Sequence, residues 1–478
     1  MSRLLRLVVT LALLGGAVVS ASAYAVADGY FDPDWAGSGR IVFPGNFTDT
    51  LANSQVRQTV VESNGNILLA GLADHNNGIY WWLGELFANG QFVPTFGPSD
   101  GSGRTTSCQL GFACAPGVVE FPEAILVQPD EKYLLLSSHK VWRTTAHAHA
   151  FDVAAVTGGT GYVANNYQIN DVQGIFNAPT GMALQPDGKI LLVGTAVYSA
   201  ASTSAVFGVV RLNADLSLDT GFNAIKDGLG VTFAGGVAIP VADDDTYELS
   251  SAILLQSDGG IVLVGAGETA TNSVRLEAVR LTANGSLDPD FGVGGKMALA
   301  WSGGSLAASQ LTALTDRAGR IDVVPGLPGS GMLVARLTAA GSADATFGDS
   351  GFAFNDAPQL PCTSTGATAL AIDSAGRIVV AGACDNNIGI ERLRGDTGAL
   401  DTSFGVGGFG HGVFETGDTV SVANAIVMDQ SGHPIIAGLT ATTVASQQFA
   451  GVARLTYDLI YTNNFEEAPR GCLPPDCN

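Results

Sequence analysis

QPDGKILLVG at Gln185–Gly194, followed by FGVVRLN at Phe207–Asn213 and LDTGF at Leu218–Phe222, is the stretch whose reading decides the fold. Two β-rich runs flank Asp187-Gly188, and a glycine there supplies the positive φ that a tight hairpin needs. A third apolar run follows, and then a short acidic-aromatic mark that leads into a fourth. The hairpin recurs as ESNGNILLAG (Glu62–Gly71), QPDEKYLLLS (Gln128–Ser137), QSDGGIVLVG (Gln256–Gly265), DRAGRIDVVP (Asp316–Pro325), DSAGRIVVAG (Asp373–Gly382) and DQSGHPIIAG (Asp429–Gly438). The mark recurs as FDPDW (Phe31–Trp35), FVPTF (Phe92–Phe96), LDPDF (Leu287–Phe291), ADATF (Ala343–Phe347) and LDTSF (Leu400–Phe404), with a weaker copy, VANNY, at Val163–Tyr167.

A long fixed period of about sixty residues specifies a repeat architecture before any local reading does. Four short antiparallel strands per unit, with no helical periodicity between them, describe a propeller. The expectation is an all-β, seven-bladed β-propeller of four-stranded antiparallel blades over residues 26–465. A β-helix is the rival, but its coils are shorter and carry no internal hairpin.

The pattern DGKILLVG, VVRLN, LDTGFN resembles the delta-60 repeat of bacterial exported proteins, across essentially the whole of the chain beyond its leader. The third to sixth copies match it best; in the second, Glu131 and Lys132 replace the turn glycine. The resemblance implies propeller-like repeats and export, and it implies no shared catalytic activity.

A second regularity concerns charge. An arginine stands eleven or twelve residues before the mark's last aromatic: Arg211, Arg280, Arg336, Arg392 and Arg454. Three residues before that aromatic stands Asp219, Asp288, Asp344 or Asp401. The first two repeats lack both, with Glu85 and Val93, then Val156 and Ala164, in those places. Residues that come and go together read as ion pairs. The ends break the rule: Arg454 is followed by YTNNF (Tyr461–Phe465), with Thr462 in the aspartate position, while Asp32 has no upstream arginine. The economical solution pairs Asp32 with Arg454, so that the N-terminal strand closes the last blade. A ring of arginines around a ligand channel is the sharper alternative to structural pairs.

Arg3 and Arg6, an apolar run from Leu4 to Val19, and small residues around Ala23 read as a signal peptide over residues 1–25. The expected location is therefore secreted, periplasmic or cell-surface, with no membrane span after processing and a monomeric state. A net charge of −22 argues against nucleic-acid and anionic-lipid partners. Glycine at 62 residues, with 46% hydrophobic and 14% charged residues, suits buried strands and tight turns rather than disorder. The six cysteines form near neighbours, Cys108 with Cys114, Cys362 with Cys384, and Cys472 with Cys477. In an oxidising compartment these read as local disulfides, the last of them stapling a tail over residues 466–478.

Chemistry-bearing motifs are sparse. There is no GxSxG elbow, HExxH helix or P-loop, and GxGxxG at Gly405, Gly407 and Gly410 lacks the βαβ context of a dinucleotide site. Asp243, Asp244 and Asp245 could bind Ca²⁺, but they lack alternating spacing and read more simply as a solvated acidic loop. His147 and His149 would share one face of a strand, a spacing that can hold a metal, with no third ligand nearby. Trp81 and Trp82 point to opposite faces of a strand, so one of them could offer an aromatic platform in place of core packing. No cofactor and no catalytic residue is assigned. The leading function is a non-enzymatic exported scaffold that binds a protein or glycan through one face of the ring. The alternatives are an extracellular hydrolase or lyase with carboxylates at the channel, and a purely structural surface component.

Overall fold

The computed structural model describes residues 31–456, less 44–52, 76–77, 98–100, 111–118, 138–139, 149, 151–161, 165–166, 170–173, 198–204, 223–230, 234, 244, 272, 302–310, 325–330, 355–361, 363–364, 406, 415–417 and 443–447. The leader, Thr462, the rest of YTNNF, and the tail with Cys472 and Cys477 lie outside the described residues. The described regular structure is almost wholly β, arranged as a propeller.

Each hairpin forms as its turn chemistry dictates. In the copy at Gln185–Gly194, the Gln185 amide donates to the Lys189 carbonyl at 2.8 Å, and Gly188 takes φ +83°. The second copy, which lacks the glycine, bends Glu131 into the same left-handed region at φ +61°. The innermost strands are Ser54–Val61, Pro122–Val127, Gly174–Leu184, Asp245–Leu255, Thr312–Thr315, Thr365–Ile372 and Asp418–Met428, each the start of a hairpin. They pack side by side in that order, and the last returns to the first.

The expected seven blades are corrected to five. Five sheets are separate four-stranded blades, but residues 167–300 form one ten-stranded sheet instead of independent blades. The cause is an insertion after the LDTGF mark. A short hairpin, Val231–Phe233 with Gly236–Ile239, caps only part of strand Ala205–Leu212. The remaining edge bonds in parallel to the next inner strand, at Ala205 opposite Tyr247. VANNY is corrected too: Tyr162–Ala164 completes the second blade, and Tyr167–Ile169 joins the large sheet, so this stretch is no acidic-aromatic mark.

The N-terminal strand Arg40–Phe43 pairs antiparallel with Gln448–Arg454, making the order Arg40–Phe43, Gln448–Arg454, Pro434–Thr442, Asp418–Met428. The Asp32 amide donates to the Arg454 carbonyl at 2.8 Å, and Arg454 Nε donates to Asp32 Oδ2 at 2.9 Å. Phe31, Phe43 and Trp35 are buried between this blade and its neighbours. The end strands thus satisfy each other's backbone, which removes the open sheet edges that would otherwise pair between molecules.

We expect a double-mutant cycle with Asp32→Ala and Arg454→Ala to show coupling on the order of 1–2 kcal/mol in urea unfolding, because charge-assisted hydrogen bonds across a part-buried pair are lost together. Strictly additive single effects would show that the pair does not hold the ends.

Candidate functional site

The inner strands share an irregularity. The partner register skips one residue at Arg57, Glu123, Thr180, Ser251, Thr368 and Asn424, so each is a β-bulge. An extra residue re-aims its side chain. These six, with Gln58 and Thr312, line a cavity of about 270 Å³ in the centre of the ring. The side chains also lace the strands together. Thr180 Oγ1 donates to the Ser250 carbonyl at 2.6 Å, and Thr312 Oγ1 to that of Thr368 at 3.0 Å. Thr368 Oγ1 donates to the Ala423 carbonyl at 2.6 Å, and Asn424 Nδ2 to that of Val56 at 2.8 Å. One charge pair interrupts this neutral ring: burial pushes the Glu123 carboxyl above its usual range, and the Arg57 guanidinium draws it partly back.

Sequence reasoning missed these residues, although a signal was present. The glycine that ends the hairpin motif at Gly71, Gly265, Gly382 and Gly438 lies against each bulge. A Cβ there would collide with the carbonyl of Gln55, Leu249, Gly366 or Val422 respectively. In these four repeats the glycine makes room for the bulge, and the bulge places the channel residue; the bulge at Glu123 forms opposite Ser137 without it.

The arginines lie away from the cavity, in the third strands. Arg211 Nε meets Asp219 Oδ2 at 2.7 Å, Arg280 Nη1 meets Asp288 Oδ2 at 2.7 Å, and Arg392 Nε meets Asp401 Oδ2 at 2.8 Å. Arg336 differs: its fork closes on Asp322 of the adjacent strand at 2.7 and 3.0 Å, not on Asp344. Only this repeat carries an aspartate at that second-strand position, and the buried guanidinium takes the nearer carboxylate. Asp344 lies 3.9 Å from Arg320 instead. Burial pushes the carboxyls of Asp219, Asp344 and Asp401 up, but hydrogen bonds and neighbouring cations outweigh it and hold them low.

The guanidinium also rests over the mark's aromatic ring, at 4.5 Å for Arg211 on Phe222, 4.1 Å for Arg336 on Phe347 and 4.9 Å for Arg392 on Phe404. The second repeat does possess this arginine. Arg143, not Val156, holds the register, opposite Leu134 as Arg211 is opposite Leu191. Its Nη1 donates to the Ala214 carbonyl of the next repeat at 2.5 Å, as Arg211 Nη1 does to Ala283 at 2.8 Å.

The remaining candidates separate cleanly. Trp81 and Trp82 are fully buried: Trp81 packs edge-on to Trp142 at 5.8 Å, and Trp82 Nε1 donates to the Leu72 carbonyl at 3.1 Å. Neither is a ligand platform. His147 lies in a 3₁₀ turn, Ala146–Ala148, with φ +55°, so the strand-face pairing with His149 fails; His149 lies outside the described residues. Its ring nitrogens stand 3.8 Å from Glu85 and 3.9 Å from Glu131. Cys362 and Cys384 form a disulfide; Cys108 is also disulfide-bonded, while Cys114 lies outside the described residues. Asp243 is exposed and Asp244 undescribed, whereas Asp245 turns inward.

Where the first repeat lacks its arginine, a carboxyl pair forms. Glu85 and Glu62 are buried together, and Asn66 Nδ2 donates to Glu85. Burial first, and then the Glu85 charge, raise the Glu62 carboxyl to about 7.

In the described residues no helix is long and apolar enough to cross a membrane. The molecule is a β-propeller. Residues 185–222 and 256–291 match a family described as domain of unknown function (DUF5122) beta-propeller. No curated protein matches the sequence. Among solved structures, the chain is similar to polysaccharide lyase Uly1 at 10% identity, covering 84% of this chain and 90% of that one with TM-score 0.43. The AfRom2 CNH domain is similar at 11% identity, with coverages of 87% and 99% and TM-score 0.38. The PQQ-bound aldose sugar dehydrogenase from Streptomyces coelicolor is similar at 11%, with 70% and 94% covered and TM-score 0.37.

The Glu62 carboxyl binds its proton more tightly in the folded state than in the unfolded chain. That stabilisation is complete below about pH 4.5 and is lost as pH rises through about 7. Glu62→Gln should flatten the fall in unfolding free energy across that window, measured by urea titration at stepped pH. Parallel profiles for the two proteins would contradict the assignment.

Proposed function

We propose that this protein is an exported, non-catalytic propeller that binds a glycan-bearing partner, with the central cavity receiving a polyhydroxyl group. The observation that carries this reading is the ring of bulged residues. Hydroxyl and amide groups from successive inner strands surround a space of about 270 Å³, with Arg57 and Glu123 as its charge pair. Such a lining suits hydrogen bonding to sugar hydroxyls, which need many donors and acceptors at fixed positions. Carboxylate-based glycoside hydrolysis wants a second acid at a defined distance from the first, whereas Glu123 is the acid among the described lining residues. Export is supported by the leader pattern and by the Cys362–Cys384 disulfide, which suits an oxidising compartment. The delta-60 resemblance fits the same setting.

Binding to a panel of oligosaccharides and producer envelope polysaccharides, measured by calorimetry, tests the reading. Arg57→Ala and Glu123→Gln should each weaken binding by about tenfold, the loss of one or two polar contacts, without lowering the melting temperature. Substrate turnover abolished by Glu123→Gln would establish an enzyme instead. Binding indifferent to both substitutions would move the site elsewhere.

A further inference from the structure

Away from the channel, three acidic side chains converge in the large sheet. Asp245 and Glu248 come from inner strand Asp245–Leu255, Glu277 from Val274–Leu281, and their oxygens all lie within 4.8 Å of one another. Glu248 and Glu277 are buried, at 2% and 0% exposure, and the Asp245 side chain is 0% exposed in a residue that is otherwise half-buried. No N–H or hydroxyl of the described residues donates to either Glu277 oxygen or to Asp245 Oδ2, and the hydrogen-bonding contact of Glu277 is with the Asp245 carboxyl itself. An ionised carboxylate left so would cost several kcal/mol. Something must answer it.

The repeat itself gives no reason for Glu277. It stands opposite Gly265; in three other repeats the corresponding pairs are Gly194 with Gly208, Gly382 with Gly389, and Gly438 with Gly451, while the first has Gly71 with Trp82 and the second Ser137 with Lys140. A carboxylate stands at the centre of a strand pair where three sibling repeats carry glycine. Room is made for it at Gly267, where a Cβ would run into Asp245 Oδ2 and the Glu277 carboxyl.

Charges facing the cluster come from two directions. Arg275 Nη1 donates to Asp245 Oδ1 at 3.1 Å. Lys296 acts on Glu248 from a distance while donating to the Pro240 carbonyl at 2.5 Å. Backbone amides of Val241 and Ala242 fix Glu248 at 2.9 to 3.0 Å. One donor set is thus held rigidly, and the other is left unanswered.

We propose that Asp245, Glu248 and Glu277 bind a hard divalent cation of the calcium class. All-oxygen carboxylate ligation is what such an ion takes, and calcium tolerates the irregular geometry that magnesium does not. The rest of the coordination sphere falls to water or backbone carbonyls. Carboxylate ligands must be deprotonated to hold a cation, so binding at buried carboxyls releases protons and affinity falls as pH falls.

The test titrates chelator-stripped protein with calcium and with magnesium by calorimetry in two buffers of different ionisation enthalpy. The expected result is one calcium per chain with Kd at or below about 1 mM, weaker magnesium binding, buffer-dependent heat from proton release, and a calcium-dependent rise in melting temperature. Glu277→Gly introduces the residue carried by three sibling strands and should fold, while losing calcium affinity by at least about tenfold. Glu248→Gln provides a second variant with unchanged volume. Absence of calcium binding up to about 10 mM, far above the range of protein sites, would overturn the proposal. Wild-type affinity in either folded variant would overturn it too, and would leave a proton-sharing acid pair as the role of Glu277.

Discussion

The pairing of the two chain ends is the constraint on which the remainder of the molecule depends. A propeller is a set of sheets that bury their faces against one another around an axis, and an unclosed ring leaves one face and one edge to solvent. Strand Arg40–Phe43 fills the fourth position of the last blade, and Asp32 reaches Arg454 across the junction. Backbone hydrogen bonds and a charge pair act at the same seam. Phe31 enters the core shared by the last two blades, and Trp35 with Phe43 enters the one beyond, so closure joins packing and pairing in one step.

The acidic-aromatic mark acts in the same way within a blade. Its aspartate accepts a backbone amide two residues on, as Asp219 does from Gly221 at 3.1 Å, which holds the turn. The other carboxylate oxygen of Asp219 accepts from Arg211, whose guanidinium covers the buried Phe222 ring, whereas Arg336 donates to Asp322 instead. Where that arginine also donates to the following repeat, as Arg143 and Arg211 do, the turn of one blade is tied to its neighbour. Charge here fixes geometry between packed layers. It does not line a ligand channel.

Much of this was legible because turn chemistry and charge pairing are local or regularly spaced. The hairpins, the Arg–Asp spacing, and the closure through Asp32 and Arg454 all follow from residues that recur at fixed intervals. Arg143 was missed because the second repeat is irregular after its third strand, so counting back from VANNY landed on Val156. Arg336 was assigned to Asp344 because a linear pattern cannot weigh a competing carboxylate on the neighbouring strand. The tryptophans read as surface candidates because alternation says which faces two side chains take, and not whether both faces are covered.

The sequence alone determined that the chain is a β-propeller of about sixty-residue repeats with its ends brought together, since φ requirements and strand periodicity are properties of short segments. The blade count was beyond it. Whether an edge is capped or fuses with the next inner strand depends on how far an inserted hairpin reaches, as at Ala205 and Tyr247. The two polar sites were likewise decided by tertiary structure. Arg57, Glu123 and Asn424 meet around one cavity because bulges aim them inward from distant strands. Asp245 and Glu277 meet because Gly267 leaves room between them. Such convergence is a property of three-dimensional packing, and no spacing along the chain records it.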